Sequence, residues 1–286
     1  MALPSEELRY RDRLYDDREL AQARAEGALL AVECPERFAC VRLYCGFIGY
    51  SQSGHSLVGS LINAHPDAVI AHELDALHLL AEGFQREQLL AAILLRDHEF
   101  AALQRQWTGY DYTVPGTPQG RTLAPTVIGD KKGRGSTLRL LRDPGLLERL
   151  RELLGLPLRI IHVVRHPQDT IASMRSHAGE DELDGSLEHF SELVAANAEI
   201  RDGLVDGELL DARLEDLIAD PRAAMRRICE FLELAPSDKY LESCAAVVFP
   251  RPNRPGEQVP WSPAQRERVG ELIARHDFLS GYQLIG

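Results

Sequence analysis

Short, nearly unbroken apolar runs punctuate this chain, chief among them Val41 to Ile48 (VRLYCGFI) and Leu158 to Val164 (LRIIHVV). Runs this short, bounded by turn residues, predict strands buried on both faces. Ala68–Ala71, Thr126–Gly129 and Glu208–Ala212 predict shorter strands. Between the runs the apolar spacing changes to that of helices. Leu57, Val58, Leu61 and Ile62 form an i, i+1, i+4, i+5 stripe that should face a sheet, and His65-Pro66 closes that helix. Further helices are expected over 73–82, 86–107, 136–154, 167–177, 185–203, 221–232 and 263–276. The helix at 221 carries its own start signal, Asp220 as N-cap and Pro221 at the first helical position. Gly109–Pro125 and Pro250–Pro260 read as loops. Residues 5–30 predict a polar helix of mixed charge: a solvated surface element, a helix packed loosely on the domain, or a contact for a homo-oligomer.

Strands alternating with helices imply an α/β fold, a three-layer αβα sandwich around a central parallel sheet. The 286 residues suffice for such a core, and no linker-like composition divides them. The expected organisation is an N-terminal helical extension over 1–40 and a single α/β domain over 41–286. Open sheets of this kind bind ligands beyond the carboxyl ends of their strands. Four candidate groups follow strand ends here: Gly49–Ser56, His72-Glu73, Lys131-Lys132 and Arg165.

Charge then narrows the partners. Thirty-two basic residues against 44 acidic ones leave a net charge of −12, which repels nucleic acid and anionic membrane at long range. No nucleic-acid or membrane partner is expected, and an anionic ligand must be held by local cations and backbone N–H groups. The first twenty residues are charged throughout, without a signal-like apolar region, and no stretch is long enough to span a bilayer. A soluble, cytoplasmic protein is expected. Five cysteines without a C-x-x-C pair suggest free thiols in a reducing compartment rather than a disulfide framework or a zinc site, and no metal is expected.

Gly49-Tyr50-Ser51-Gln52-Ser53-Gly54-His55-Ser56 matches the phosphate-binding pattern G-x-x-x-x-G-K-[ST] except that His55 replaces lysine. Its glycines permit a tight turn, and the N–H groups of residues 53–56 would meet an anion at the positive end of the helix. Other readings fit less well. Ser51 and Ser53 lack the second glycine of a nucleophile elbow, and the run is no G-x-G-x-x-G fingerprint. His72-Glu73 with His78 misses H-E-x-x-H, because position 76 is alanine. A kinase or NTPase with a degenerate loop remains an alternative, though it would lack the usual lysine.

The same residues resemble sulfotransferases. Phe47-Ile48-Gly49-Tyr50-Ser51-Gln52-Ser53-Gly54-His55-Ser56-Leu57, with Asn63-Ala64-His65-Pro66, is similar to their 5′-phosphosulfate loop and the A-H-P after its helix. Val163-Val164-Arg165-His166-Pro167-Gln168-Asp169 with Ser173 resembles their 3′-phosphate motif, and Arg213–Leu232 resembles their downstream block. The resemblance spans roughly 41–235 and is nearest in layout to tyrosylprotein sulfotransferases and bacterial relatives. It implies a sulfuryl donor, PAPS (3′-phosphoadenylyl sulfate), a product, PAP (3′,5′-adenosine bisphosphate), and a small-molecule hydroxyl acceptor. It implies donor contacts from Ser51, Gln52, Ser53, Gly54, His55, Ser56, Arg165 and Ser173, with Arg251 and Arg254 closing over the 3′-phosphate. Glu73 would be the general base and Lys131 the cation on the sulfuryl group, with His72 as the other candidate base. Two separate anion sites suit PAPS, whereas an ordinary ATP-binding loop needs no second site.

One position departs from the family. Gln52 stands where an arginine or lysine usually stabilises the bridging oxygen, and one lost donor costs about 2.7–4 kcal/mol of transition-state stabilisation. Lys131, Lys132 or a protonated His55 would replace that charge, or Gln52 would donate through its amide. The remaining alternative is a non-catalytic nucleotide-binding relative.

Overall fold

Five of the expected strands assemble into one sheet: β1 (Leu43–Gly49), β2 (Ala68–His72), β5 (Val127–Lys131), β6 (Leu158–Val164) and β7 (Leu209–Arg213). A separate antiparallel hairpin pairs β3 (Gln106–Trp107) with β4 (Tyr110–Asp111). The structure is a computed structural model that describes residues 16–122, 124–178 and 183–286. The sheet order is β2-β5-β1-β6-β7 and every pairing is parallel. After β1 the chain builds outward to β2 and returns through β5, then crosses to β6 and β7 on the other side of β1. The strand order therefore reverses at β1, which makes its carboxyl end a topological switch point. In register, Gly49 lies opposite Val163 and His72 opposite Lys131, so the functional ends of four strands share one edge.

Each face of the sheet carries its own core. Tyr44, Ile48, Val69, Ile128 and Ile160 pack under the helices Ala76–Ala81, Arg86–Ala102 and Leu146–Leu154. Leu43, Phe47, Ile70, Val127, Ile161 and Val163 pack under His55–Asn63, Pro221–Phe231 and Asp238–Val247. This is the three-layer αβα sandwich. On the helix after β1, Val58, Leu61 and Ile62 are buried against the sheet as the stripe predicts, each worth about 1.5–3 kcal/mol relative to exposure. Asp220 caps the helix at Pro221 by accepting from Ala223 N–H at 3.0 Å.

Several boundaries differ from expectation. The helix expected over 86–107 stops at Ala102, because Gln104 and Arg105 turn to φ of 54° and 52° and lead into the hairpin. The helix over 136–154 is two, Arg134–Arg142 and Leu146–Leu154, parted at Asp143-Pro144-Gly145. The helix expected from Glu73 begins only at Ala76, after a turn that carries the site. Asp238–Val247 is a helix that apolar spacing did not flag, with Ser237 as its N-cap. Of the N-terminal polar helix, Asp17–Glu33 packs on Arg86–Ala102, with Leu20 and Gly27 buried. The expected stretch over 5–15 lies outside the described residues.

Candidate functional site

The turn after β1 ends in Gly54, which holds φ at 92° as the N-cap of the next helix and gives it no side-chain cap. A side chain on Gly54 would be strained at this φ and would meet Leu214 at 2.7 Å. The helix closes its first backbone bond from Val58 N–H to the Gly54 carbonyl. The N–H groups of His55, Ser56 and Leu57 therefore have no intrahelical acceptor and open toward the switch point. Gln52, also left-handed at φ 64°, turns its carbonyl to Arg165.

Glu73 and Lys131 meet at this opening. Lys131 Nζ lies 2.5 Å from Glu73 Oε1 and donates to Ser56 Oγ at 2.9 Å. Lys132 Nζ holds the other carboxylate oxygen, Oε2, at 3.2 Å, and His55 Nε2 stands 3.9 Å from Oε1. Lys131 is 1% exposed and Glu73 13%, so the pair is shielded from solvent screening. Burial would raise the Glu73 carboxyl, but Lys131, Lys132 and His55 overcome it and hold the group at about 2.

His55 differs from expectation. Ser53 Oγ donates to the Tyr50 carbonyl at 3.0 Å, which leaves His55 Nδ1–H to donate to Ser53 Oγ at 3.1 Å. Burial, reinforced by Lys131, lowers the ring to about 4. At neutral pH it is uncharged and supplies no cation in place of the arginine missing at 52. The His72 ring, within reach of the charge on Lys131, is set among aromatic side chains. It stacks on Phe100 at 4.1 Å and packs edge-on to Trp107, and burial holds it neutral, well below its ordinary range.

Arg165 joins three segments. Its guanidinium donates to the Gln52 carbonyl at 3.0 Å, to Ser173 Oγ at 3.1 Å and to the Asn253 carbonyl at 2.7 Å. The spacing of eight residues brings Ser173 round the helix Pro167–Ala178 to the strand end where Arg165 stands. The tail thus reaches Arg165 through a backbone carbonyl, while Arg251 and Arg254 are exposed and Arg254 pairs with Glu257 at 3.3 Å. Ser51 is half-buried in the turn.

Sequence reasoning overlooked several buried polar residues around these groups. Thr137 accepts from Gly49 N–H at 3.0 Å and donates to Asn197 Oδ1 at 2.8 Å. His162 bridges Asp211, 2.9 Å from Nδ1, and the Tyr50 hydroxyl, 3.1 Å from Nε2, which ties the start of the turn to β6 and β7. Asp130 and Arg96 hold the turn after β2. Apolar runs with single polar residues, such as His162 within LRIIHVV, were the available signal for that layer. Among the described residues no cluster of three or more His, Cys, Asp or Glu is arranged to hold a metal, and no helix is long and apolar enough to cross a membrane.

Fold and site together define a class: a parallel α/β protein whose switch point carries an uncapped helix N-terminus, a buried lysine–carboxylate pair and a buried arginine. A family model described as "Sulfotransferase family" matches residues 47–238, more than half of the chain, and the chain belongs to that family. Among solved structures, it is similar to the sulfotransferase domain of the olefin synthase from Synechococcus PCC 7002. That match has 16% identity and a TM-score of 0.51, and covers 83% of this chain and 96% of that one. It is likewise similar to sulfotransferase STF1 from Mycobacterium tuberculosis H37Rv, at 13% identity and a TM-score of 0.52, covering 90% of this chain and 83% of that one. At these identities the likeness is one of fold. No curated protein sequence matches.

Proposed function

We propose that the chain moves the sulfuryl group of PAPS to a hydroxyl of a small-molecule acceptor and releases PAP. One observation carries this reading: the Glu73–Lys131 pair and the open helix N-terminus face each other across Ser56, while Arg165 and Ser173 stand on the far side of the same turn. A donor with a phosphosulfate and a separate 3′-phosphate needs two anion sites, and the residues present suit both. The N–H groups of 55–57 and Ser56 fit the first, and Arg165 with Ser173 fits the second.

In the transfer, the acceptor oxygen bonds to sulfur as the bond from sulfur to the bridging phosphate oxygen breaks. The acceptor proton passes to Glu73, and Lys131 offsets the negative charge that develops at the transferring group. Glu73 suits the base better than His72, because its carboxylate shares Lys131 Nζ with Ser56, whereas His72 is packed in an aromatic cluster. A carboxylate held at about 2 is a weak base. When Lys131 turns its charge to an incoming sulfuryl group, the pair loosens and Glu73 gains basicity. Lys131 and Lys132 are the cations that stand in for the residue missing at 52.

Gln52 favours a second reading, a nucleotide-binding relative without turnover. Thermal-shift titration with PAP, with ATP and with ATP plus Mg²⁺ tests the donor. Stabilisation by PAP is expected, and stabilisation by ATP–Mg²⁺ alone would rule out the PAPS reading in favour of a kinase-like one. PAP binding without transfer to any of a panel of phenols and alcohols would favour the second reading.

A further inference from the structure

Glu73 does not reach Lys131 by an ordinary backbone. It has φ of 58° and Asp75 has φ of 70°, both left-handed without being glycine. Such residues persist only where their surroundings over-determine them. Here charged side chains do so. Asp130 accepts from Leu74 N–H through Oδ1 at 3.1 Å and from Ala76 N–H through Oδ2 at 2.8 Å. Arg96 donates from Nε to the His72 carbonyl at 3.1 Å and from Nη2 to the Glu73 carbonyl at 3.3 Å. Arg139 grips the Asp75 carboxylate with two bonds of 2.6 and 2.7 Å, and Glu73 N–H donates to the Lys131 carbonyl at 3.0 Å.

Asp130 directly precedes Lys131 on β5, and successive strand residues point to opposite faces of the sheet. The strand end therefore holds the turn from both faces, by its amides on one and by the Glu73 carboxylate on the other. A carboxylate is the side chain that suits the first task. Two N–H groups two residues apart meet two acceptor oxygens, whereas an asparagine would turn its own N–H₂ toward one of them.

We propose that Asp130, acting with Arg96, is a positioning residue that sets the Glu73 carboxylate against Lys131 and Lys132. The inference rests on the reading of Glu73 and Lys131 as the reacting pair. Asp130 is 3% exposed, and burial pushes its carboxyl up to about 6, with Asp75 and Glu73 adding to the rise and the Ala76 N–H and Lys132 opposing it. An ionised group kept at such a site is consistent with work on the turn rather than with packing.

Asp130→Asn in the full chain tests this with two readouts. Amide exchange across residues 72–77 should quicken while β1 and β6 keep their protection. With PAPS as donor and p-nitrophenol as acceptor, kcat should fall on the order of 10²-fold, with PAP affinity unchanged. Arg96→Lys, which keeps the charge but loses the fork, should give the same pattern and serves if the first variant fails to fold. Unchanged exchange over 72–77 would overturn the proposal whether or not the protein turns over, as would wild-type kcat in a variant whose parent is active. Quickened exchange in a protein that transfers nothing would keep the clamp and reject the catalytic reading beneath it.

Discussion

The turn after β1 and the turn after β2 lie at one sheet edge with the end of β5 between them, yet their backbones are held differently. The first has glycine at its key position: Gly54 takes φ 92°, Ser53, Tyr50 and His55 close the turn locally, and Arg165 holds the carbonyl of left-handed Gln52. The second puts Glu73 and Asp75 in the left-handed region and relies on Asp130, Arg96 and Arg139 from three other elements. Left-handed non-glycine residues cost of order 1–3 kcal/mol each, and the second turn carries two, Glu73 and Asp75, against one, Gln52, in the first. The difference follows from what each must present. The first offers backbone N–H groups, which a side chain would obstruct. The second offers a carboxylate, so its residue cannot be glycine.

The largest effect expected from breaking this arrangement falls on turnover. Lys131→Ala removes the cation shared by both turns, and kcat should drop by about 10²–10³ while calorimetry shows PAP still bound. Turnover at the wild-type level would make the lysine structural. Arg165→Ala addresses the first turn and the segments tied to it, and leaves the second turn untouched. It removes the bonds to Gln52, Ser173 and Asn253 and should weaken PAP about 10- to 100-fold, taking about 1.5–3 kcal/mol for a charged hydrogen bond. An equal loss of ATP affinity would argue against a separate 3′-phosphate site.

Gly54→Ala probes the glycine solution directly. Positive φ and the approach to Leu214 should cost about 1–3 kcal/mol in chemical denaturation, and an unchanged midpoint would show that the turn yields. The smallest effect concerns acid stability. Glu73 is depressed from 4.5 to about 2, so its contribution is present above about pH 4.5 and is lost as pH falls toward 2. Glu73→Gln should flatten the fall in Tm over that window. It should leave the part due to Asp211, which is lowered to about 2 by His162 and Arg201 against the opposing effect of burial.

The parallel sheet was legible because its strands are short apolar runs and its helices carry apolar stripes, patterns that burial imposes on sequence. Leu158–Val164 matches β6, and Val58, Leu61 and Ile62 face the sheet as expected. The hairpin Gln106–Asp111 was not legible, since it lies in two-residue strands reached through left-handed Gln104 and Arg105. Nor was the start of the helix at Ala76, whose turn is set by Asp130 more than fifty residues away.

The layers, the alternation of strand and helix, and the glycine-bearing turn with its neighbouring cations could be read from residue order. These depend on local periodicity and on residues whose backbone freedom is intrinsic. The charge state of His55, the seat of His72 among Phe100 and Trp107, and the strained backbone of Glu73 emerged with the folded arrangement. Burial and neighbouring charge set the first two, and side chains from distant strands and helices set the third. No local pattern encodes which partners a folded chain brings within hydrogen-bond reach.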